Sequence, residues 1–66
     1  MSYPLFKDMD RWTRVRAMKD ITTKNRTMKA GETGVVFERW PYMVGVRHDG
    51  KKLTVQTTDE SDLEII

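Results

Sequence analysis

The chain has no cysteine and only one histidine, His48, among its 66 residues. Without cysteine, neither a disulfide nor a thiolate zinc site can form, and one imidazole does not make a histidine metal cluster. A Ser-His-Asp or Cys-His catalytic set would depend on this histidine, which stands beside the turn sequence Asp49-Gly50. We therefore expect a protein that is not an enzyme and that needs no cofactor or metal.

Long apolar runs are also missing. No run approaches the roughly 20 residues that cross a bilayer, and the first residues lack the apolar centre of a secretory signal. These absences predict no membrane association and a cytoplasmic location. A domain of this size buries only about 60% of the surface of its unfolded chain. Its stability must therefore come from an economical core or from docking on a larger partner.

The formal net charge is only +2, but the charges are segregated along the chain. From Arg11 to Lys29 there are seven basic residues and one acid, which is a net charge of +6. From Thr58 to Ile66 there are four acids and no base, which is −4. Such segregation can mark a binding face. Alternatively, the two segments meet in a sheet and their charges pair with each other.

Residues 1–10 contain Pro4 and no clean hydrophobic period. A terminal segment of this kind stays disordered unless it is tied down. Because Tyr3, Leu5 and Phe6 are apolar, we predict an irregular N-terminal arm that packs on the domain through these three side chains.

Alternation of side chains predicts a first strand at residues 12–18, with Val15 and Ala17 on one face and Trp12, Arg14 and Arg16 on the other. A helix is the alternative, because Arg, Ala, Met and Lys are good helix formers. The polar residues 19–30 predict a long loop or an irregular hairpin arm. A strand follows at residues 35–40, where β-branched and aromatic side chains are concentrated. It ends at Pro41, which has no amide to donate.

The strongest local signal is Asp49-Gly50, which lies between two alternating runs. This pair predicts a type I′ hairpin turn, in which both central residues have positive φ. The runs place Val44, Val46 and His48 on one face, and Leu53, Val55 and Thr57 likewise. Residues 59–62 then predict one helical turn, and residues 63–65 predict a short last strand.

The order KAGETGVVFERW, HDG, LTVQT and DLEII resembles the SH3-like barrel, in which a long loop follows the first strand and a short helical turn precedes the last. Gly31, Glu32, Gly34 and Val36, together with residues 62–65, are most similar to two groups of such barrels. One contains small accessory proteins of the photosystem I and ferredoxin–thioredoxin reductase variable-chain types, and the other contains KOW-type modules. The resemblance implies an all-β, small five-stranded SH3-like barrel at residues 11–66, after the arm at residues 1–10.

Two sets of side chains are candidates for binding. The first is the aromatic loop Trp40, Pro41 and Tyr42, because Trp and Tyr are enriched in interface hot spots; alternatively, Trp40 caps an open end of the barrel. The second set combines cations with one aromatic ring, as polyanion binding requires; alternatively, it is an ordinary solvated face. Its members are Trp12, Arg14, Arg16, Lys19, Lys24, Arg26 and Lys29.

These features favour a non-catalytic interaction module or accessory subunit that docks on a larger protein or complex. A second hypothesis is an RNA- or DNA-binding module that uses the basic face. A third is a structural homo-oligomer joined through an unpaired edge strand. The expected state is a monomer or a weak homo-oligomer.

Overall fold

The computed structural model describes residues 5–66. Within these residues the regular secondary structure consists of seven β-strands and one short 3₁₀ turn. In chain order they are β1 (Arg14–Ala17), β2 (Ile21–Thr23), β3 (Arg26–Met28), β4 (Thr33–Trp40), β5 (Met43–His48), β6 (Thr54–Thr57) and β7 (Leu63–Ile65), with a 3₁₀ turn at Glu60–Asp62 before β7. The predicted all-β class is confirmed.

The five strands that the sequence predicts form one antiparallel sheet in the order β6-β5-β4-β1-β7. The polar segment between β1 and β4 forms a separate two-stranded sheet of β2 and β3, so the hairpin alternative for this segment is confirmed. Ile21 and Met28 pair across this hairpin and are both buried, which anchors it to the core. Within residues 5–66 the strand pairs do not close a ring, because β6 and β7 are the two ends of the larger sheet.

The core lies on one face of the five-stranded sheet. In β1, Val15 and Ala17 are buried while Arg14 and Arg16 are exposed, so the predicted alternation is confirmed within the strand. It does not extend to Trp12, which precedes β1 and has a left-handed backbone with φ of 78°. The prediction that the strand includes Trp12 is therefore wrong.

The described part of the N-terminal arm packs on the domain, as predicted for Leu5 and Phe6. Phe6 is 1% exposed, Met9 is also buried, and Leu5 packs against the same core. The Phe6 amide donates to Oε2 of Glu60 at 3.0 Å, and the Arg39 guanidinium donates to the carbonyls of Leu5 and Phe6. Tyr3 and Pro4 lie outside the described residues.

The hairpin of β5 and β6 is confirmed, but its predicted type I′ turn is wrong. Arg47 and Thr54 are the last paired residues, and the His48 amide donates to the Leu53 carbonyl at 3.0 Å, so a longer loop joins the strands. Neither Asp49 nor Gly50 has positive φ. The Asp49 side chain instead binds to β1 and β4, because its Oδ2 accepts hydrogen bonds of 2.7 Å from Thr33 Oγ1 and from Arg14.

Candidate binding surfaces

The aromatic loop of Trp40, Pro41 and Tyr42 forms the tight connection between β4 and β5. Trp40 pairs with Met43 at the end of the two strands, which leaves Pro41 and Tyr42 as the turn. Tyr42 is 63% exposed and Trp40 is half-buried, and neither ring belongs to the buried core. The structure therefore presents both rings at the surface.

A groove of about 340 Å³ lies beside the aromatic loop and is lined by Arg11, Phe37, Glu38, Arg39 and Trp40. Arg11 is fixed in this position because its Nε donates to the Phe37 carbonyl at 3.1 Å. The guanidinium carbon of Arg11 also lies 4.6 Å from the centre of the Trp12 ring, within the range of a cation–π contact. Trp12 therefore lies next to the groove of the aromatic loop.

Phe37 follows the buried Val36 and lies on the opposite, outer face of β4, at an irregularity of the strand. The pairing with β5 shifts register between Val36 and Glu38, so Phe37 is the extra residue of a β-bulge. Val36 is fully buried on one side of this residue, whereas Phe37 is half-buried and lines the groove. Opposite the bulge, Gly45 leaves room for Glu38, since a β-carbon there would lie 3.2 Å from the Glu38 β-carbon.

The predicted polyanion-binding residues are dispersed over the fold. Arg14 and Arg16 are each in an ion pair of 2.7 Å, with Asp49 and Glu64 respectively. The second pair joins β1 to β7, so here the acidic tail does pair with the basic segment. Exposed pairs of this kind contribute little to stability, but they reduce the positive charge on this part of the surface. Lys19 and Lys29 are exposed at the ends of the connections that flank the small hairpin.

Lys24 and Arg26 of that set line a common cavity. It has a volume of about 230 Å³ and lies between the tip of the β2–β3 hairpin and the large sheet. Its other walls are Thr23, Phe37, Glu38, Thr54 and Gln56. The Thr23 hydroxyl fixes the hairpin to β6, because it accepts from the Gln56 amide at 2.8 Å and donates to the Gln56 carbonyl at 3.2 Å.

Three surface residues were missed by the sequence reasoning: Arg11, Phe37 and Arg47. Arg47 is exposed on β5 and is paired with Val35 on one side and Thr54 on the other. Its orientation follows from the alternation with the buried Val46, so the pattern could have identified it. Phe37 also follows a buried residue, Val36, so the same pattern could have identified it, whereas the bulge at this point could not have been predicted.

His48 serves a structural purpose in the β5–β6 loop. Its Nδ1 accepts hydrogen bonds from the amides of Gly50 at 2.9 Å and Lys51 at 3.1 Å. Its Nε2 lies 3.0 Å from Oε2 of Glu32, although the direction of this contact is not that of a good hydrogen bond. The side chain is only 9% exposed. The imidazole is thus engaged on both sides by the loop and by Glu32.

Glu32 makes folding dependent on pH in the acid range. The Lys29 amide donates to its Oε1 at 2.7 Å, and this bond, followed by the contact with His48, lowers the pKa of Glu32 below its usual 4.5. A carboxylate whose pKa is lower when folded stabilises the fold above the unfolded value and loses this effect as the pH falls through the folded value. Its contribution is therefore complete above about pH 4.5 and decreases progressively as the pH falls from there through the lower pKa of the folded state.

We expect Glu32→Gln to flatten the decrease in stability of the wild-type protein below about pH 4.5, because the substituted side chain cannot bind a proton there. Urea denaturation followed from pH 7 to pH 2.5 measures this decrease. Asp10→Asn is the control, since it removes one carboxylate from the N-terminal segment without touching the loop. A Glu32→Gln curve parallel to that of the wild type would contradict this assignment.

Among residues 5–66, no group of three or more His, Cys, Asp or Glu side chains is arranged to hold a metal ion. The same residues contain no helix of the length and apolar character needed to cross a membrane. Comparisons with protein-family models, with curated proteins and with solved structures find no match to this chain.

Proposed function

We propose that the five-stranded sheet and the small hairpin together form a partly open SH3-like barrel. Two features support this assignment besides the number of strands. The β2–β3 hairpin occupies the long connection after the first strand, and the 3₁₀ turn at Glu60–Asp62 directly precedes the last strand. The pairing of β1 with both β4 and β7 brings the last strand back beside the first.

On this scaffold we propose a non-catalytic module that docks on a larger protein or complex through the aromatic loop. The observation that carries the proposal is the exposure of Tyr42 next to the half-buried Trp40, both beside the 340 Å³ groove. Large aromatic side chains that fill pockets contribute a major share of the binding free energy at protein interfaces. A partner protein can therefore bury the exposed Tyr42 ring in a pocket of its own and insert a side chain into the groove.

The aromatic loop is held in place before any partner binds. Trp40 and Met43 pair across the hairpin, and only two residues join the strands. The Arg39 guanidinium donates to the Trp40 carbonyl and also to the arm carbonyls of Leu5 and Phe6, so it ties the loop to the N-terminal segment. Because little conformational freedom remains to be lost, association through this loop has a small entropic cost.

We expect Tyr42→Ser and Trp40→Ser each to weaken binding to the partner by about 30-fold, which corresponds to the loss of one interface hot spot. Affinity capture from an extract of the native host identifies the partner, and titration calorimetry with the purified partner measures the change. Far-ultraviolet circular dichroism confirms that the variants remain folded.

Met18→Ser is the matched control, because Met18 is also a large exposed apolar side chain but lies between β1 and β2. It should bind like the wild type. Equal affinity of the wild type and both aromatic variants would refute docking through this loop. Light scattering of the purified protein separates docking on another protein from self-association. We expect a monomer whose mass does not depend on concentration. A dimer that forms through the aromatic loop would contradict the proposal that this loop binds a different protein.

A further inference from the structure

The cavity at the tip of the β2–β3 hairpin, which we call the hairpin-tip cavity, is lined by cationic, aromatic, carboxylate and amide side chains. A small inorganic anion would use only the cations among them. Lys24 and Arg26 bring two positive charges, and Phe37 brings an aromatic ring. Glu38 adds a carboxylate and Gln56 lies beside it in the wall. Among residues 5–66, neither Lys24 nor Arg26 forms an ion pair with an acidic side chain. Both charges are thus available to a ligand.

The carboxylate of Glu38 restricts the chemistry of that ligand. It repels a purely anionic group, so the ligand must also carry hydrogen-bond donors. A nucleotide meets both conditions, since its phosphate pairs with cations and the amino groups of its base donate to carboxylate and amide oxygens. The ring of Phe37 provides a surface on which a base can stack. The volume of 230 Å³ is below the range usual for drug-sized ligands, which agrees with one base rather than an extended aromatic molecule.

We propose that the hairpin-tip cavity binds single-stranded nucleic acid, with one unpaired base against Phe37 and its phosphates at Lys24 and Arg26. A duplex does not fit this arrangement, because its bases are stacked and paired and cannot enter the cavity.

A row of side chains on the outer face of the sheet continues from the cavity and favours a strand over a free nucleotide. Thr54, in the cavity wall, pairs with Arg47, and Arg47 and Arg14 both flank Val35. Neighbours in such a row lie about 5 Å apart. Arg47 is exposed and carries a further positive charge next to the cavity. A second phosphate of the same strand can therefore reach Arg47, which a mononucleotide cannot do while its own phosphate lies at the hairpin tip.

The backbone of Lys24 makes glycine a suitable replacement at this position. Lys24 lies in the two-residue turn between Thr23 and Arg26 with φ of 57°, a conformation that glycine adopts more readily. Positive φ is the ordinary requirement of a two-residue hairpin turn. The substitution Lys24→Gly therefore removes the charge while relieving the backbone, so a loss of binding cannot be attributed to misfolding.

The test is fluorescence anisotropy with a labelled single-stranded 12-mer of mixed sequence, at several salt concentrations. We expect Lys24→Gly/Arg26→Gln to bind at least tenfold more weakly than the wild type at low salt and to reduce the salt slope by about 1.4, since each lost phosphate contact contributes about 0.7. The control is Lys7→Ser/Lys52→Ser, which removes the same net charge outside the cavity and should bind within about twofold of the wild type.

Phe37→Leu separates stacking from charge. It should weaken binding about tenfold while leaving the salt slope unchanged, because it removes the ring and no cation.

The proposal is overturned if the single strand does not bind at low salt, or if both double variants lose affinity equally. It is also overturned if duplex, a free nucleoside monophosphate or an acidic peptide competes as well as the unlabelled strand. Trp40→Ser and Tyr42→Ser should bind the oligonucleotide normally, so this test and that of the docking proposal fail independently.

Discussion

Replacing Gly34 with alanine is expected to remove a large part of the stability of the protein. A β-carbon at this position would lie 2.4 Å from the Arg47 carbonyl oxygen and 2.8 Å from Cγ1 of Val46. Gly34 is in β4, at the centre of the sheet, between β1 and β5. The added methyl group must therefore push the β5 backbone away from β4 at Arg47, beside the pair that Gly34 forms with His48. We expect a loss of about 3 kcal/mol or more, at the upper end of the overpacking range.

That loss is between about a third and the whole of the stability of the domain. At roughly 0.05–0.15 kcal/mol per residue, a chain of 66 residues is stable by about 3–10 kcal/mol. Thermal denaturation followed by circular dichroism measures the effect. Gly50→Ala is the matched control, because its nearest neighbour is a His48 side-chain atom 3.7 Å away and its φ is not positive. A cooperative Gly34→Ala transition at the wild-type temperature would show that β4 and β5 do not approach as described.

Phe6→Ala is the second substitution for which we expect a large effect, about 3–5 kcal/mol, as for other buried phenylalanines. The Phe6 ring is 1% exposed and is among the largest fully buried side chains of the described residues. Its backbone has φ of 56°, which a bulky residue rarely adopts. Alanine at this position keeps the unfavourable backbone and loses the burial that offsets it.

Urea denaturation measures this change, and Lys7→Ala is its control, since Lys7 is the exposed neighbour in the same segment. The control should stay within about 0.5 kcal/mol of the wild type, as is usual for surface substitutions. A similarly small loss for Phe6→Ala would mean that the N-terminal segment is dispensable. The expected result instead makes Phe6 an essential part of the hydrophobic core, together with Met9 and the adjoining Leu5.

Local patterns were sufficient to predict most of the larger sheet. The period of two identified β1 because Val15 and Ala17 are buried and the arginines between them are not. Pro41 correctly marked the end of β4, and the acidic turn before Leu63 was recognised as helical. The burial of Met9 and Met28 was not predicted, because each is a single apolar residue in a polar segment and its neighbours in the core are distant in sequence.

The candidate surfaces were predictable to different degrees. Trp40 and Tyr42 flank a proline that must lie in a connection, so their position at a loop followed from local chemistry. The basic residues could not be assigned to one face, because that depends on which strands meet. Asp49 and Glu64 neutralise Arg14 and Arg16 only through tertiary pairing. The turn at Asp49-Gly50 was predicted wrongly for the same reason, since its geometry is set by Thr33, Arg14 and His48.

Photo-crosslinking from position 42 tests the central claim, docking through the aromatic loop, most directly. Tyr42 is replaced by benzoylphenylalanine, which preserves an aromatic ring, and the protein is irradiated in an extract of its native host. The same probe at Lys52, in the β5–β6 loop, is the control. We predict one discrete adduct from position 42 that disappears when Trp40→Ser is added, and none from position 52. Equal labelling from both positions, or no adduct from position 42, would contradict the account.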